Sequence, residues 1–200
     1  MTTAPQTPSS TGAAEAATRF AASAPADVRY AVIDGPAGRL VAARTQRGLV
    51  RLAYEDDNGG LDAILDTLAT RLSPRIVEAP AQLDDLRREL DEYFERRRQA
   101  FDVAIDWALV GSFGRKVLRA TAAIPFGETR TYVQVAAAAG NPSASRAAGN
   151  ALGANPVPIV VPCHRVLRSG GGLGGYTGGL RRKQLLLRTE GVLPDELTAH

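Results

Sequence analysis

The hydrophobic period of this chain changes from two to about 3.6 partway along, and that switch decides which architectures are open to it. "VRYAVIDG", "GRLVAARTQ" and "GLVRLAYED" are short alternating runs between Gly, Pro and polar breaks, the period of half-buried strands. They predict an antiparallel three-stranded meander over residues 28–54. "LDAILDTLATRL" then sets Leu61, Ile64, Leu65, Leu68 and Leu72 on one helical stripe, and Leu83, Leu86, Leu90, Tyr93 and Phe94 form a second. Both helices are expected to cover one face of the small sheet.

Past "AIDWALVGSFG" the pattern becomes helical and rich in Ala and Gly. "SFGRKVLRATAAI" predicts a helix stopped by Pro125, and "TYVQVAAAAG" one closed by Gly140. "NPSASRAAGNALGANP" predicts a third, with Pro142 near its first turn and its end between Gly153 and Pro156. The expected fold is an α+β domain over residues 28–106, followed by a mainly helical domain over 107–193. Residues 1–27 hold hardly any large apolar side chain, so they are expected to form a disordered tail; residues 194–200 form a C-terminal tail.

Charge divides the chain at the same place. Residues 28–110 carry 12 basic and 15 acidic side chains, a balance of −3, whereas 111–193 carry 11 basic residues against Glu128 and Glu190 alone, a balance of +9. A surplus of that kind suits a polyanion, nucleic acid above all, although a solvated basic surface has the same composition. The pair of short helices joined by "GNP" resembles a helix-turn-helix, and the small residues of the second helix suit either insertion into DNA or tight packing within the protein. No apolar stretch approaches the roughly 20 residues that span a bilayer, and the first residues lack a basic start and an apolar centre. A cytoplasmic location is expected, and a single cysteine agrees with a reducing compartment.

That cysteine lies in "VPIVVPCHRVLRSGGGLGGYTGG", residues 157–179, with His164 and Arg165 directly after it. A thiol attacks as its thiolate, which a neighbouring imidazole or cation favours and apolar burial suppresses. Pro156, Pro158 and Pro162 bracket the apolar run and predict a rigid extended segment presenting Cys163. Neighbours on extended backbone point to opposite faces, so His164 would reach the sulfur through a turn or a water. An imidazole that accepts a proton needs a partner on its other nitrogen. Glu128 in "FGET" and Glu190 in "LLLRTEG" are the carboxylates available in this half; the latter, in a last helical turn, opposes the helix dipole. A surface pair of Glu190 with Arg188 is the plainer alternative. One Cys with His164 and His200 makes no credible zinc set, and a cysteine peptidase would have to borrow His200. "GGGLGG" matches G-x-G-x-x-G but lacks the strand-helix-strand unit around it, so it is expected to be a loop over a site, packed on Tyr176.

"NPVPI", "PCHRV", "GYTGG" and "EG" resemble the O6-alkylguanine-DNA alkyltransferases over about residues 107–193. The first domain matches in strand and helix order alone. The resemblance implies a ribonuclease H-like first domain with a three-stranded antiparallel sheet, then a winged-helix-like DNA-binding domain. It implies irreversible, single-turnover transfer of an alkyl group from O6-alkylguanine, and less efficiently O4-alkylthymine, to Cys163. His164 withdraws the thiol proton through a water, Glu190 orients the imidazole, Asn155 braces the turn before the active-site segment, and Tyr132 donates to the departing guanine. Backbone at Cys163 and Val166 reads the exocyclic amine, and Tyr176 and Thr177 line the pocket. Arg146 enters the base stack from a helix that, with Ser145, Ala147 and Gly149, meets the minor groove of double-stranded DNA while the lesion is flipped out. No cofactor or metal is implied, and the protein is expected to be a monomer in solution. A non-enzymatic damage-binding relative, in which another residue commonly replaces the cysteine, and a helix-turn-helix regulator indifferent to Cys163 are the alternatives.

Overall fold

The computed structural model describes residues 27–195. The expected tails fall outside that range except at their inner ends. Asp27, placed by the sequence in the N-terminal tail, belongs to the fold: its carboxylate pairs with Arg75 at 2.7 Å and its amide donates to Arg75 O.

The meander is present as β1 (Val28–Ile33), β2 (Leu40–Thr45) and β3 (Gly48–Tyr54), each antiparallel to the next, with a register irregularity at Ala43/Arg44. A fourth strand, β4 (Ile76–Glu78), joins β1 in parallel, giving the order β3-β2-β1-β4. The three-stranded antiparallel expectation is therefore corrected to a four-stranded mixed sheet. Three residues are too few for a periodic signal, and β4 pairs only because the helix before it returns the chain to the β1 edge.

The second correction concerns the helices. α1 (Gly60–Arg71) buries Ile64 and Leu68 against Val28, Val41, Ala43, Val50 and Ala53. α2 (Asp84–Phe94) buries Leu86, Leu90 and Tyr93 against Ala31, Ile33, Leu40, Ala42, Leu52 and Tyr54. Alternate residues of the same strands thus serve two helices on opposite faces, not one face as expected. β2 and β3 permit this because their residues are buried on both sides.

The connection to the helical part does not run free. Leu49 N donates to Ala104 O and Asp106 N to Leu49 O, both at 2.8 Å, so residues 104–106 lie along the β3 edge. Then come α3 (Ser112–Ala122), β5 (Arg130–Thr131), α4 (Tyr132–Ala138), α5 (Ser145–Gly153), β6 (Val166–Leu167) and α6 (Gly179–Thr189). Pro142 sits in the turn before α5 rather than in its first helical turn, since the helix begins at Ser145. Val117 and Leu118 of α3, Val135 of α4, Leu152 of α5 and Leu186 of α6 join the α2 side of the sheet in one continuous apolar cluster. Among the described residues no helix is long and apolar enough to cross a membrane.

Candidate active site

Three local features bring the site together. β5 and β6 pair in parallel, Arg130 with Val166 and Thr131 with Leu167, which sets the start of α4 beside the chain leaving Cys163. Thr131 and Gln134 form a capping box, its side chains satisfying each other's backbone N–H groups, so α4 begins at Tyr132. The segment before the cysteine is less extended than its prolines suggested. Ile159 takes φ +73°, a strained conformation for a β-branched residue, and Cys163–Arg165 is a single 3-10 turn in which Arg165 N donates to Pro162 O. Cys163 is therefore presented by a turn, a correction to the extended segment, and His164 follows it into the interior instead of pointing away across a strand.

Asn155 braces this turn from the end of α5. Its Nδ2 donates to Val161 O at 2.9 Å and to Cys163 Sγ at 3.2 Å, and its Oδ1 accepts from Val157 N at 3.1 Å. Cys163 lines a cavity of about 250 Å³ with Tyr132, Gly149, Leu152, Gly153, Gly175, Tyr176 and Thr177. Burial pushes its thiol above the ordinary range, against the smaller opposing pulls of the Asn155 hydrogen bond and the Lys183 charge. At rest the sulfur carries its proton.

Behind the cavity, His164 is fully buried, with Nε2 2.7 Å from Glu190 Oε1. Burial holds the imidazole below its usual pKa in spite of that carboxylate, so it is neutral at pH 7. Glu190 closes α6, which Gly191 ends at φ +73°. Burial opposes its ionisation, but hydrogen bonds from His164 and Arg165, with the Arg165 charge, outweigh that and set its pKa at about 2. Arg165 is the counter-charge, with Nε 2.8 Å from Oε2 and an Nη 2.9 Å from Oε1. An ionised carboxylate can only accept, so the neutral imidazole carries its proton on Nε2 and presents Nδ1 as a bare acceptor. Nδ1 is buried and has no hydrogen-bond partner among the described residues. The arrangement gives a base with its tautomer set and its basic nitrogen unused.

The structure separates the two candidate acids: Glu128 is exposed and paired with Arg130 at 2.9 Å, while Glu190 is buried and does not form the surface pair with Arg188 considered as its alternative. Tyr132, Tyr176, Thr177 and Gly149 reach the cavity wall, and Thr177 Oγ1 donates to Gly153 O at 2.9 Å. Val166 does not line the cavity, and its carbonyl already accepts from Lys183 Nζ at 2.7 Å. Arg146 and Ala147 are exposed on the outer face of α5, with Ser145 half-buried at its start.

Three residues that hold the site were not found by sequence reasoning. Tyr93, assigned to the α2 apolar stripe, donates its hydroxyl to Glu190 Oε1 at 2.7 Å. Arg165 was noted only as a neighbour of the thiol. Lys183 is buried and donates to Val166 O, Leu173 O and Gly175 O, and burial lowers its pKa to about 8. A signal for it existed: Lys183, Leu186, Leu187 and Glu190 follow one helical stripe, and two charges on an otherwise apolar face call for buried partners.

Comparison with known proteins agrees with this geometry. The model for the 6-O-methylguanine DNA methyltransferase ribonuclease-like domain matches residues 28–107, and that for the DNA-binding domain of the same family matches residues 112–192. The chain is 39% identical over 169 residues to the methylated-DNA–protein-cysteine methyltransferase of Mycolicibacterium paratuberculosis, covering 82% of this chain and 92% of that protein. It is also 39% identical over 164 residues to the regulatory protein ada of Salmonella typhimurium, of which it spans 45%. The crystal structure of Mycobacterium tuberculosis O6-methylguanine methyltransferase superposes with a TM-score of 0.70 at 36% identity, covering 86% of this chain and 98% of that one. The same organism's OGT in complex with DNA superposes with a TM-score of 0.71 at 36% identity, covering 82% and 93%.

Proposed function

The chain belongs to the 6-O-methylguanine DNA methyltransferase family, and from that premise we propose that it repairs DNA by moving the alkyl group of O6-alkylguanine irreversibly onto Cys163. The observation that carries this reading is one wall of one cavity. Cys163, its Sγ hydrogen-bonded to Asn155, lines a space the size of a single nucleobase, and the next residue, His164, is paired in the interior with Glu190.

The chemistry is one displacement at carbon. The thiol proton passes through a water to His164 Nδ1, and Glu190 stabilises the imidazolium that results. The sulfur–carbon bond forms as the carbon–O6 bond breaks, and the guanine left behind gains a proton, formally the one that sulfur lost. Tyr132, beside the cavity, donates toward the ring nitrogen of the leaving base. The thioether cannot be reversed by this machinery, so each molecule acts once, and no step calls for a cofactor.

An alkyl carbon within a stacked duplex is closed to in-line attack, so the lesion must be swung out. The exposed face of α5 supports minor-groove entry: Ala147 and Gly149 would let the backbone approach closely, and the exposed Arg146 would fill the gap that a displaced base leaves. We place the division between a first domain of residues 28–106 and a DNA-binding domain of 107–193. The protein acts as a cytoplasmic monomer on double-stranded DNA, an assignment with which the unpaired cysteine agrees. A regulator or a damage-binding protein without transfer would have no use for a buried ion pair behind a thiol.

The test uses a duplex bearing one radiolabelled O6-methylguanine. Label moves to protein, stops at about one equivalent per chain as expected for a residue consumed by its own reaction, and does not move to Cys163→Ser. Transfer that survives in Cys163→Ser rejects the assignment.

A further inference from the structure

Tyr176 forms part of the cavity wall, and what holds it comes from the first domain. Tyr54, the last residue of β3, is 1% exposed, and its hydroxyl lies 2.9 Å from that of Tyr176. The two rings meet edge to face with centroids 6.2 Å apart, and Tyr176 also meets the His164 ring edge to face at 6.4 Å. Tyr176 is thus set between a sheet residue and the base of the site.

Tyr54 is itself immobilised. The Arg182 guanidinium stands 4.3 Å over its ring, within cation–π range. Arg182 in turn pairs with Asp56 at 2.7 Å and Asp57 at 2.6 Å and donates to Ala37 O at 2.7 Å. Gly178 leaves the space for this contact, since a Cβ there would fall 2.3 Å from the Tyr54 ring. Burial pushes the Tyr54 phenol far up, and Tyr176 likewise, so both hydroxyls stay protonated and share one hydrogen bond at any working pH.

We infer that Tyr54 is a positioning residue for alkyl transfer: by holding the Tyr176 hydroxyl it fixes the wall against which the extruded base is seated, and so sets how tightly the pocket takes that base. The effect falls on base binding, because the two hydroxyls hydrogen-bond to each other and, among the described residues, to neither Cys163 Sγ nor the His164–Glu190 pair.

This rests on the alkyltransferase reading, and the experiment separates the two. Single-turnover transfer from free O6-benzylguanine to the full chain is followed over a range of base concentrations for wild type, Tyr54→Phe, Tyr176→Phe and the double variant. Tyr54→Phe should raise the half-saturating concentration about fivefold, the size of one net hydrogen bond, while the limiting rate stays within about twofold. The double variant should be no worse than either single variant, because both remove the same bond. An unchanged half-saturating concentration in Tyr54→Phe, a loss confined to the limiting rate, or losses that multiply in the double variant would each overturn the inference. Wild-type protein that leaves Cys163 unalkylated by the O6-methylguanine duplex would sink the functional reading and the inference with it, one that reacts with the duplex but not with the free base would sink the inference alone, and so would a transferring wild type beside an indistinguishable Tyr54→Phe.

Discussion

Replacing Glu190 by glutamine keeps the shape of the side chain and removes the property on which the site depends, its ability to accept at both oxygens. Oε1 accepts from Tyr93, His164 and an Arg165 Nη, and Oε2 accepts from Arg165 Nε. A glutamine must turn an NH2 toward one of these positions. At Oε2 it would face Arg165 Nε–H, and at Oε1 it would face three donors. Either way a buried guanidinium loses its counter-charge. Removing one partner of a buried ion pair costs about 3–5 kcal/mol. At about 2–4 °C per kcal/mol for a chain of this length, the melting midpoint should fall by about 6–20 °C. The imidazole also loses the acceptor that sets its tautomer, and general-base catalysis is worth about 10²–10⁴ in rate. Thermal unfolding at pH 7 and label transfer from the O6-methylguanine duplex measure the two effects on one preparation. Glu128→Gln is the control, since an exposed pair contributes about 0–1 kcal/mol. If Glu190→Gln melts within about 2 °C of wild type, less than the loss of a buried pair allows, and transfers label at the wild-type rate, the buried network does not do what its geometry says.

Asn155→Ala removes three buried hydrogen bonds and leaves Val157 N without its acceptor, while Val161 O keeps the Cys163 N–H; we expect a loss of about 2–4 kcal/mol in denaturant unfolding and slower transfer. The contribution of His164 and Glu190 to stability should be full above about pH 6.5 and fall on acidification. The folded His164 pKa lies below its usual 6.5, so the unfolded chain binds that proton first; the folded Glu190 pKa of about 2 against 4.5 extends the loss between those values. A melting midpoint that rises from pH 6.5 to pH 3 would contradict both assignments. Arg146→Ala should weaken binding to duplex and slow repair there while leaving the rate on free O6-benzylguanine unchanged; a large loss on the free base would place Arg146 in the pocket instead. Added salt should weaken duplex binding steeply in wild type, and less steeply in Arg146→Ala if that side chain meets a phosphate.

What was legible in the sequence was local. β1 to β3 and the helices α1 to α5 announce themselves by period and breakers, α6 only by its end before Gly191; Cys163, His164 and Glu190 stood out because their neighbours are unusual, whereas Asn155 was named through the family resemblance alone. What stayed hidden depends on distant chain. β4 and the β5–β6 pair are two or three residues long and exist only as pairings. The placement of α1 and α2 on opposite faces follows from strands apolar on both sides, which an alternating pattern does not distinguish from one-sided burial. The 3-10 turn at Cys163 was masked by prolines that restrict φ without dictating whether the chain between them turns. Tyr54 and Tyr93 looked like core residues and are core residues; only the hydroxyl of each, directed at an atom more than 90 residues away in sequence, gives it a second task.

These two tyrosines bear on why a sheet domain accompanies the transfer site at all. A carboxylate kept ionised in a dry interior needs donors on every lone pair, and no single element can surround it. Glu190 takes its donors from the turn carrying His164 and Arg165 and from α2 of the first domain. The apolar cluster that excludes water from this group is likewise shared, running from Ala31 and Leu40 of the sheet through Val117 to Leu186 of the last helix. Residues 104–106 pair along β3, and Leu52 N donates to Pro156 O at 2.8 Å, just ahead of the active-site turn. The family's two domains therefore form one solvent-excluding body in this chain. The base at Cys163 owes its neutral imidazole to a dry interior that neither domain encloses by itself, and its ionised carboxylate to the donors that both domains bring to it there.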